Sequence, residues 1–116
     1  ACLQLRAEAF LYRVCFFLRA EQDTDSEKNV SLGRWMGWGF DGPAPLARFE
    51  RGTRCGTGVR RRLTVSFECG DAAALTSVTE AESCVYEARA AHPAACNATD
   101  PPVIVEPPAL VPKDEL

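Results

Sequence analysis

Residues 61–86 read RRLTVSFECGDAAALTSVTEAESCVY, from Arg61 to Tyr86. Leu63, Val65 and Phe67 alternate there with Arg62, Thr64, Ser66 and Glu68. A period of two puts successive side chains on opposite faces of a pleat, so the run reads as a β-strand with one face in a core. On the same count Arg61 and Cys69 fall on the apolar side. An arginine that starts on a core-facing side needs partners, because an unpaired buried charge costs several kcal/mol. A second run, CVYEARA, keeps the same period and sets Cys84, Tyr86 and Ala88 on one face. If the two runs pair, Arg61, Glu80 and Tyr86 converge beside one small apolar surface.

An arginine, a carboxylate and a phenol so grouped can bond vicinal hydroxyls, as binding of a polyhydroxylated ligand requires. The same three residues would also serve as a structural ion pair with a core tyrosine.

Upstream, CLQLRAEAFLYRVCFFL (residues 2–18) is dense in aromatic and branched residues from Phe10 onward and reads as two strands or a hairpin. Gln22 follows on the face of Phe16 and Leu18, or is the first exposed residue after them. Asp23, Asp25 and Glu27 superficially suggest a calcium loop, but Lys28 stands where an EF-hand needs glycine, so they read as solvated charges. LGRWMGWGF (32–40) mixes Trp35 and Trp38 with three glycines; a tryptophan here is either core or a sugar-stacking wall. DGPAPL is a turn, ARFERGTRC a short strand leading to Cys55, and GTGVR a tight turn without the pattern of a phosphate loop. His92, the lone histidine, has no nucleophile or ligand set around it.

The 116 residues fit one domain, read as residues 1–97 with a Pro-rich tail over 98–116. About seven to nine short strands and no helical period make it all-β. A net charge of -3 and a pI near 5.1 argue against general nucleic-acid binding. Arg51, Arg54 and Arg60 to Arg62 form a local basic cluster, read as solvated surface except for Arg61. No apolar run approaches the ~20 residues of a membrane-spanning helix, and no membrane partner is expected.

Six cysteines, Cys2, Cys15, Cys55, Cys69, Cys84 and Cys96, include no CxxC spacing, so disulfides are expected and no metal or other cofactor. Cys2 with Cys15 is the local choice; spacing leaves the other pairs open. Asn29-Val30-Ser31 and Asn97-Ala98-Thr99 are N-glycosylation candidates. Lys113, Asp114, Glu115 and Leu116 form an ER-retrieval tetrapeptide, which implies the ER lumen and the KDEL receptor as a partner. With no signal peptide before Cys2, the sequence reads as the C-terminal part of a longer chain.

The ordered matches over residues 2–96 resemble the mannose 6-phosphate receptor homology (MRH) domain, the P-type lectin family. They comprise the cysteine spacing, Gln22 seven residues after Cys15, LGRW, FERGTRC, the Arg61 strand ending at Cys69, TSVTEAESCVY and HPAAC. Within that family the chain is similar to the glucosidase II β branch. The resemblance implies a flattened β-barrel or sandwich of two antiparallel sheets, with disulfides Cys2–Cys15, Cys55–Cys84 and Cys69–Cys96. It implies a mannose pocket of Gln22, Arg61, Glu80 and Tyr86, with Trp35 a further candidate. Gln22 and Arg61 would bond the axial 2-hydroxyl, and Glu80 and Tyr86 the 3- and 4-hydroxyls. It further implies a non-catalytic domain that binds mannose on N-glycans while a separate catalytic α subunit trims glucose. Two departures stand out. Gly56 occupies a position where that branch commonly carries tryptophan. Ala9 and Phe10 lie where ER-degradation lectins, the alternative function, carry tandem tryptophans.

Overall fold

The computed structural model describes residues 2–42 and 44–97; the retrieval tetrapeptide, the Pro-rich tail and the end of the second sequon lie outside the described residues. Its strands are β1 (Cys2–Ala7), β2 (Phe10–Cys15), β3 (Arg19–Asp23), β4 (Val30–Asp41), β5 (Ala44–Glu50), β6 (Arg62–Cys69), β7 (Ala74–Glu82) and β8 (Val85–His92), followed by a 3-10 turn over Pro93–Asn97. The all-β expectation holds, and the hairpin at the start is β1 and β2.

The strands make one eight-stranded sheet in the order β1-β2-β3-β4-β5-β6-β8-β7. The two edge strands, β1 and β7, touch, so the sheet curls into a nearly closed, flattened barrel. β4, twelve residues long, carries a bulge between Trp35 and Gly37, the kind of irregularity that increases strand bending and twist. Neighbours are antiparallel except β6 and β8, which run parallel with Leu63 beside Tyr86 and Val65 beside Ala88. The pairing of the two alternating runs is thus present; β7 lies outside β8 and supplies the crossover.

Alternation fills the interior as expected: Leu63, Val65, Tyr86, Ala88 and Ala90 are buried, with Val14, Leu32 and Phe49 facing them from the other strands. Gly33 lets β4 press on β5, since a Cβ there would stand 2.5 Å from Glu50 N and Phe49 C. Cys69 departs from the apolar count: it is the exposed last residue of β6, bonded to Cys96 in the 3-10 turn. Cys2–Cys15 closes the first hairpin, and Cys55–Cys84 ties the β5–β6 loop to the β7–β8 turn. A core this small is marginal, and each bridge adds roughly 2–4 kcal/mol.

On the outer face the reading of Asp23 as a solvated charge is corrected. Arg13 donates to Asp23 at 2.9 and 3.0 Å, to Glu21 at 3.2 Å and to Asn29 Oδ1 at 2.7 Å. β2 and β3 bring these groups together because Arg13 sits opposite Glu21 in the ladder. The Arg13 hydrogen bond, helped by the Asn29 backbone N–H, lowers the Asp23 pKa to about 2. Asn29, the first sequon asparagine, is exposed and has a left-handed backbone, φ 58°.

Candidate functional site

Gln22 and Tyr12 face each other across β3 and β2. Both are buried, Gln22 to 5% exposure, so it is an interior residue and not the first exposed one. Gln22 Nε2 donates to Tyr12 Oη at 3.3 Å. Among the described residues this is the one hydrogen bond of the Gln22 side chain, which leaves the rest of its amide for another group. Burial raises the Tyr12 phenol pKa; the Gln22 hydrogen bond works against that, and Tyr86, Glu80 and Glu8 reinforce it. Tyr12 therefore remains a neutral hydroxyl near both Tyr86 and Glu80. Sequence reasoning missed Tyr12, although its alternation with Val14 along β2 marked it as inward-facing.

Glu80 and Tyr86 are paired across β7 and β8. Tyr86 is 4% exposed. Glu80 sits before a bulge and is exposed at the rim, where its Oε2 accepts from the Cys84 backbone N–H at 2.7 Å. Cys84 takes φ 71° in the turn between the strands, so the carboxylate is held by the same turn that the Cys55–Cys84 bridge fixes.

Arg61 comes one residue before β6, at the end of the β5–β6 loop. Its main chain is bound on both sides, donating to Thr53 O at 3.1 Å and accepting from Gly52 N at 2.8 Å. Arg62 lies beside Val85 in the parallel ladder and donates to Cys84 O, which sets Arg61 next to Cys84 and hence to the Glu80 turn. The same loop is stitched to β4: Thr53 N–H donates to Ser31 O at 2.9 Å and Ser31 N–H to Thr53 Oγ1 at 3.1 Å. Ser31 adjoins Val30, the partner of Gln22 in the β3–β4 ladder. Tyr12, Gln22, Glu80 and Tyr86 thus come from four strands, β2, β3, β7 and β8, and Arg61 from a loop tied to β4 and to the β7–β8 turn.

The partners of Arg61 differ from those the strand count suggested. Its Nη1 donates to the carbonyls of Thr53 and Arg54 at 3.3 and 3.2 Å, and among the described residues no ion pair joins it to Glu80. The reason is position: Arg61 precedes the strand, where loop carbonyls face it. Its Nε is buried and, among the described residues, has no hydrogen-bond partner. A buried donor left unpaired costs roughly 1–3 kcal/mol, so this group favours a polar ligand at the spot.

Trp35 is not brought to this group. It is in register with Phe49, Leu63 and Tyr86, three strands away from Tyr86. Its ring meets Phe17, Trp38 and Phe49 edge-on at centroid distances of 4.9, 5.4 and 5.5 Å. Trp35 and Trp38 are packing residues of an aromatic cluster that includes Phe67. Gly56 is exposed, and nothing lies within 4 Å of where its Cβ would be. Among the described residues, no group of acidic, histidine or cysteine side chains is arranged to hold a metal ion.

A family model described as glucosidase II beta subunit-like protein matches residues 1–106. Glucosidase 2 subunit beta of Oryza sativa subsp. japonica is 33% identical over 96 residues, covering 83% of this chain and 15% of that protein. The Mycosarcoma maydis subunit is 30% identical over 104 residues, covering 82% of this chain and 18% of the relative. The chain therefore spans less than a fifth of the length of these relatives. Among solved structures, the MRH domain of glucosidase II beta bound to mannose superposes with a TM-score of 0.67 at 28% identity, covering 82% of this chain and 92% of that one. The MRH domain of Yos9, complexed with alpha3,alpha6-Man5, has a TM-score of 0.67 at 21% identity over 84% of this chain and 77% of that one, a likeness of fold.

Proposed function

This chain belongs to the glucosidase II beta subunit-like family, and we propose that it is a non-catalytic lectin domain that binds mannose on N-glycans. Gln22 and Arg61 take the axial 2-hydroxyl, and Glu80 and Tyr86 take the 3- and 4-hydroxyls. Glucose, with an equatorial 2-hydroxyl, would leave the Gln22 and Arg61 donors unmatched. Tyr12 holds the Gln22 amide in place. The observation that carries this reading is the buried Arg61 Nε, which has no hydrogen-bond partner among the described residues. It is supported by the shared fold of a relative solved with mannose.

Mannose has about 12 heavy atoms, and at roughly 0.3–0.4 kcal/mol per atom its affinity is on the order of millimolar. Such a site works as a tether. Holding mannose on one arm of a glycan raises the effective concentration of a scissile glucose on another arm at the active site of a catalytic α subunit. The setting would be the ER lumen, with Lys113 to Leu116 read by the KDEL receptor. The test is binding of the 116-residue chain to a panel of high-mannose glycans, with Gln22→Ala, Arg61→Ala and Glu80→Ala alongside. Folded variants should lose mannose-dependent binding. A folded wild type that binds none of the glycans would reject the lectin reading.

A further inference from the structure

The stretch RGTRCGTGVRRR, residues 51–62, carries five arginines and no carboxylate, whereas the rest of the chain has eight Lys or Arg against sixteen Asp or Glu. Arg61 is committed to the site above. Arg51, Arg54, Arg60 and Arg62 are exposed, and among the described residues none of them has an acidic partner. Arg13, Arg19, Arg48 and Arg89, by contrast, all pair with carboxylates. Arg51, Arg60 and Arg62 line a cleft of about 180 Å³ together with Glu50.

The array is held in place. Arg60 Nη1 donates to Arg51 O at 3.4 Å and Arg54 Nη1 to Gly58 O at 2.9 Å, which ties one nitrogen of each guanidinium to the loop and leaves the other N–H groups without a partner among the described residues. Arg51 has φ 67°, a left-handed backbone that costs a non-glycine residue roughly 1–2 kcal/mol. The Cys55–Cys84 bridge anchors the middle of the loop. Four exposed guanidinium groups, two of them hydrogen-bonded to the loop and none with a counter-charge among the described residues, form an anion surface on a chain that is acidic elsewhere.

We propose that this face docks an acidic peptide segment of a partner protein, with several carboxylates spread along a short extended run. A single dense anion such as phosphate fits less well. Glu50, already bonded to Arg48 at 3.2 Å, puts a negative charge in the cleft wall, and the free guanidinium groups are distributed along the loop around it. Spaced carboxylates can reach the arginines on either side of Glu50.

The experiment is fluorescence anisotropy of the 116-residue chain with a labelled peptide of alternating glutamate and glycine, and with its glutamine counterpart as control. The glutamate peptide should bind at 50 mM NaCl, weaken at least tenfold at 300 mM, and exceed the glutamine peptide at both. R51Q/R60Q/R62Q should weaken binding about tenfold while still retaining mannose. R6Q/K28Q/R89Q, an equal change in net charge elsewhere, should alter it less than twofold. If the first triple variant misfolds, R60E against R6E repeats the comparison, with a threefold or greater loss expected in R60E alone. Equal losses in both variants, or no preference for the glutamate peptide, would overturn the proposal. So would full displacement of the peptide by 1 mM inorganic phosphate, which would assign a small-anion site.

Discussion

Gly52→Ala should separate the arginine loop from the barrel. Gly52 is buried, and a methyl group on it would stand 2.5 Å from Ser31 O, 2.8 Å from Arg61 O and 2.8 Å from Leu32 C. All three are backbone atoms, so no change of rotamer clears them. Reaching ordinary contact, about 3.4 Å, needs a shift of roughly 0.6–0.9 Å between the loop and β4. Two main-chain bonds lie on that line: Gly52 N–H to Arg61 O at 2.8 Å and Thr53 N–H to Ser31 O at 2.9 Å. Overpacking costs about 1–3 kcal/mol and each weakened hydrogen bond about 0.5–1.5 kcal/mol, so the expected loss is about 3 kcal/mol. For a domain of this size that lowers Tm by roughly 10–25 °C. Mannose binding should fall at least fivefold even well below Tm, because Arg61 moves with the loop. Gly56→Ala is the control: it meets nothing within 4 Å and should stay within about 0.5 kcal/mol of wild type. The assay is thermal unfolding with disulfides intact, paired with glycan binding at 10 °C. A Gly52→Ala protein as stable and as active as Gly56→Ala would refute the claim that close backbone approach at Gly52 places Arg61.

Tyr12→Phe removes only the hydroxyl that accepts from Gln22; stability should change by about 1 kcal/mol and mannose binding weaken about 2- to 10-fold. Unchanged binding would make Tyr12 a packing residue alone. Asp23, whose pKa is lowered from 3.8 to about 2 chiefly by Arg13, contributes stability that is fully present above about pH 4 and lost as pH falls toward 2. The Tm difference between wild type and Asp23→Asn should therefore shrink on acidification from pH 5 to pH 2 at low salt, and a constant difference would contradict the pairing. Gly56→Trp places a ring in open space, so Tm should hold within about 3 °C. An aromatic face worth roughly 0.5–1.5 kcal/mol should tighten mannose binding about 2- to 10-fold, and an equal or weaker affinity would place the ring outside the site.

What could be read from the chain was whatever depends on side-chain period. Leu63, Val65, Tyr86 and Ala88 alternate, and all four are buried as alternation demands. Period gives the face and not the neighbour, so the parallel β6–β8 ladder could not be anticipated; two strands separated by a third carry no turn signal for their relative direction. The same limit explains Arg61. Counting back from Leu63 gives the correct side of the sheet, but the strand starts at Arg62, and the partners of a loop residue are set by loop carbonyls that no periodic rule locates. Asp23 looked like one of several loop acids until β2 placed Arg13 beside it. Trp35 was ambiguous because tryptophan serves cores and sugar walls alike, and only the packing of Phe17, Trp38 and Phe49 around it decides. Spacing could not choose between the long-range disulfides, since both loops they close, 29 and 27 residues, are similar in length.

The bridge Cys55–Cys84 has a consequence beyond general stability. Of the residues assigned to the sugar, Gln22 and Tyr86 are in strands and buried, so the core fixes them at no extra cost. Glu80 and Arg61 are at the rim, where long charged side chains lose roughly 1.5–2 kcal/mol of rotamer freedom each when ordered. A site of the proposed millimolar affinity would have about 4 kcal/mol in hand, so ordering both groups only on binding would consume most of it. The structure orders them beforehand: Glu80 on the Cys84 amide, Arg61 on the Thr53 and Arg54 carbonyls, with Cys55 and Cys84 joining the two loops covalently. The small all-β core accounts for the two buried residues of the proposed pocket, and the disulfide joins the loops that hold the two at its rim.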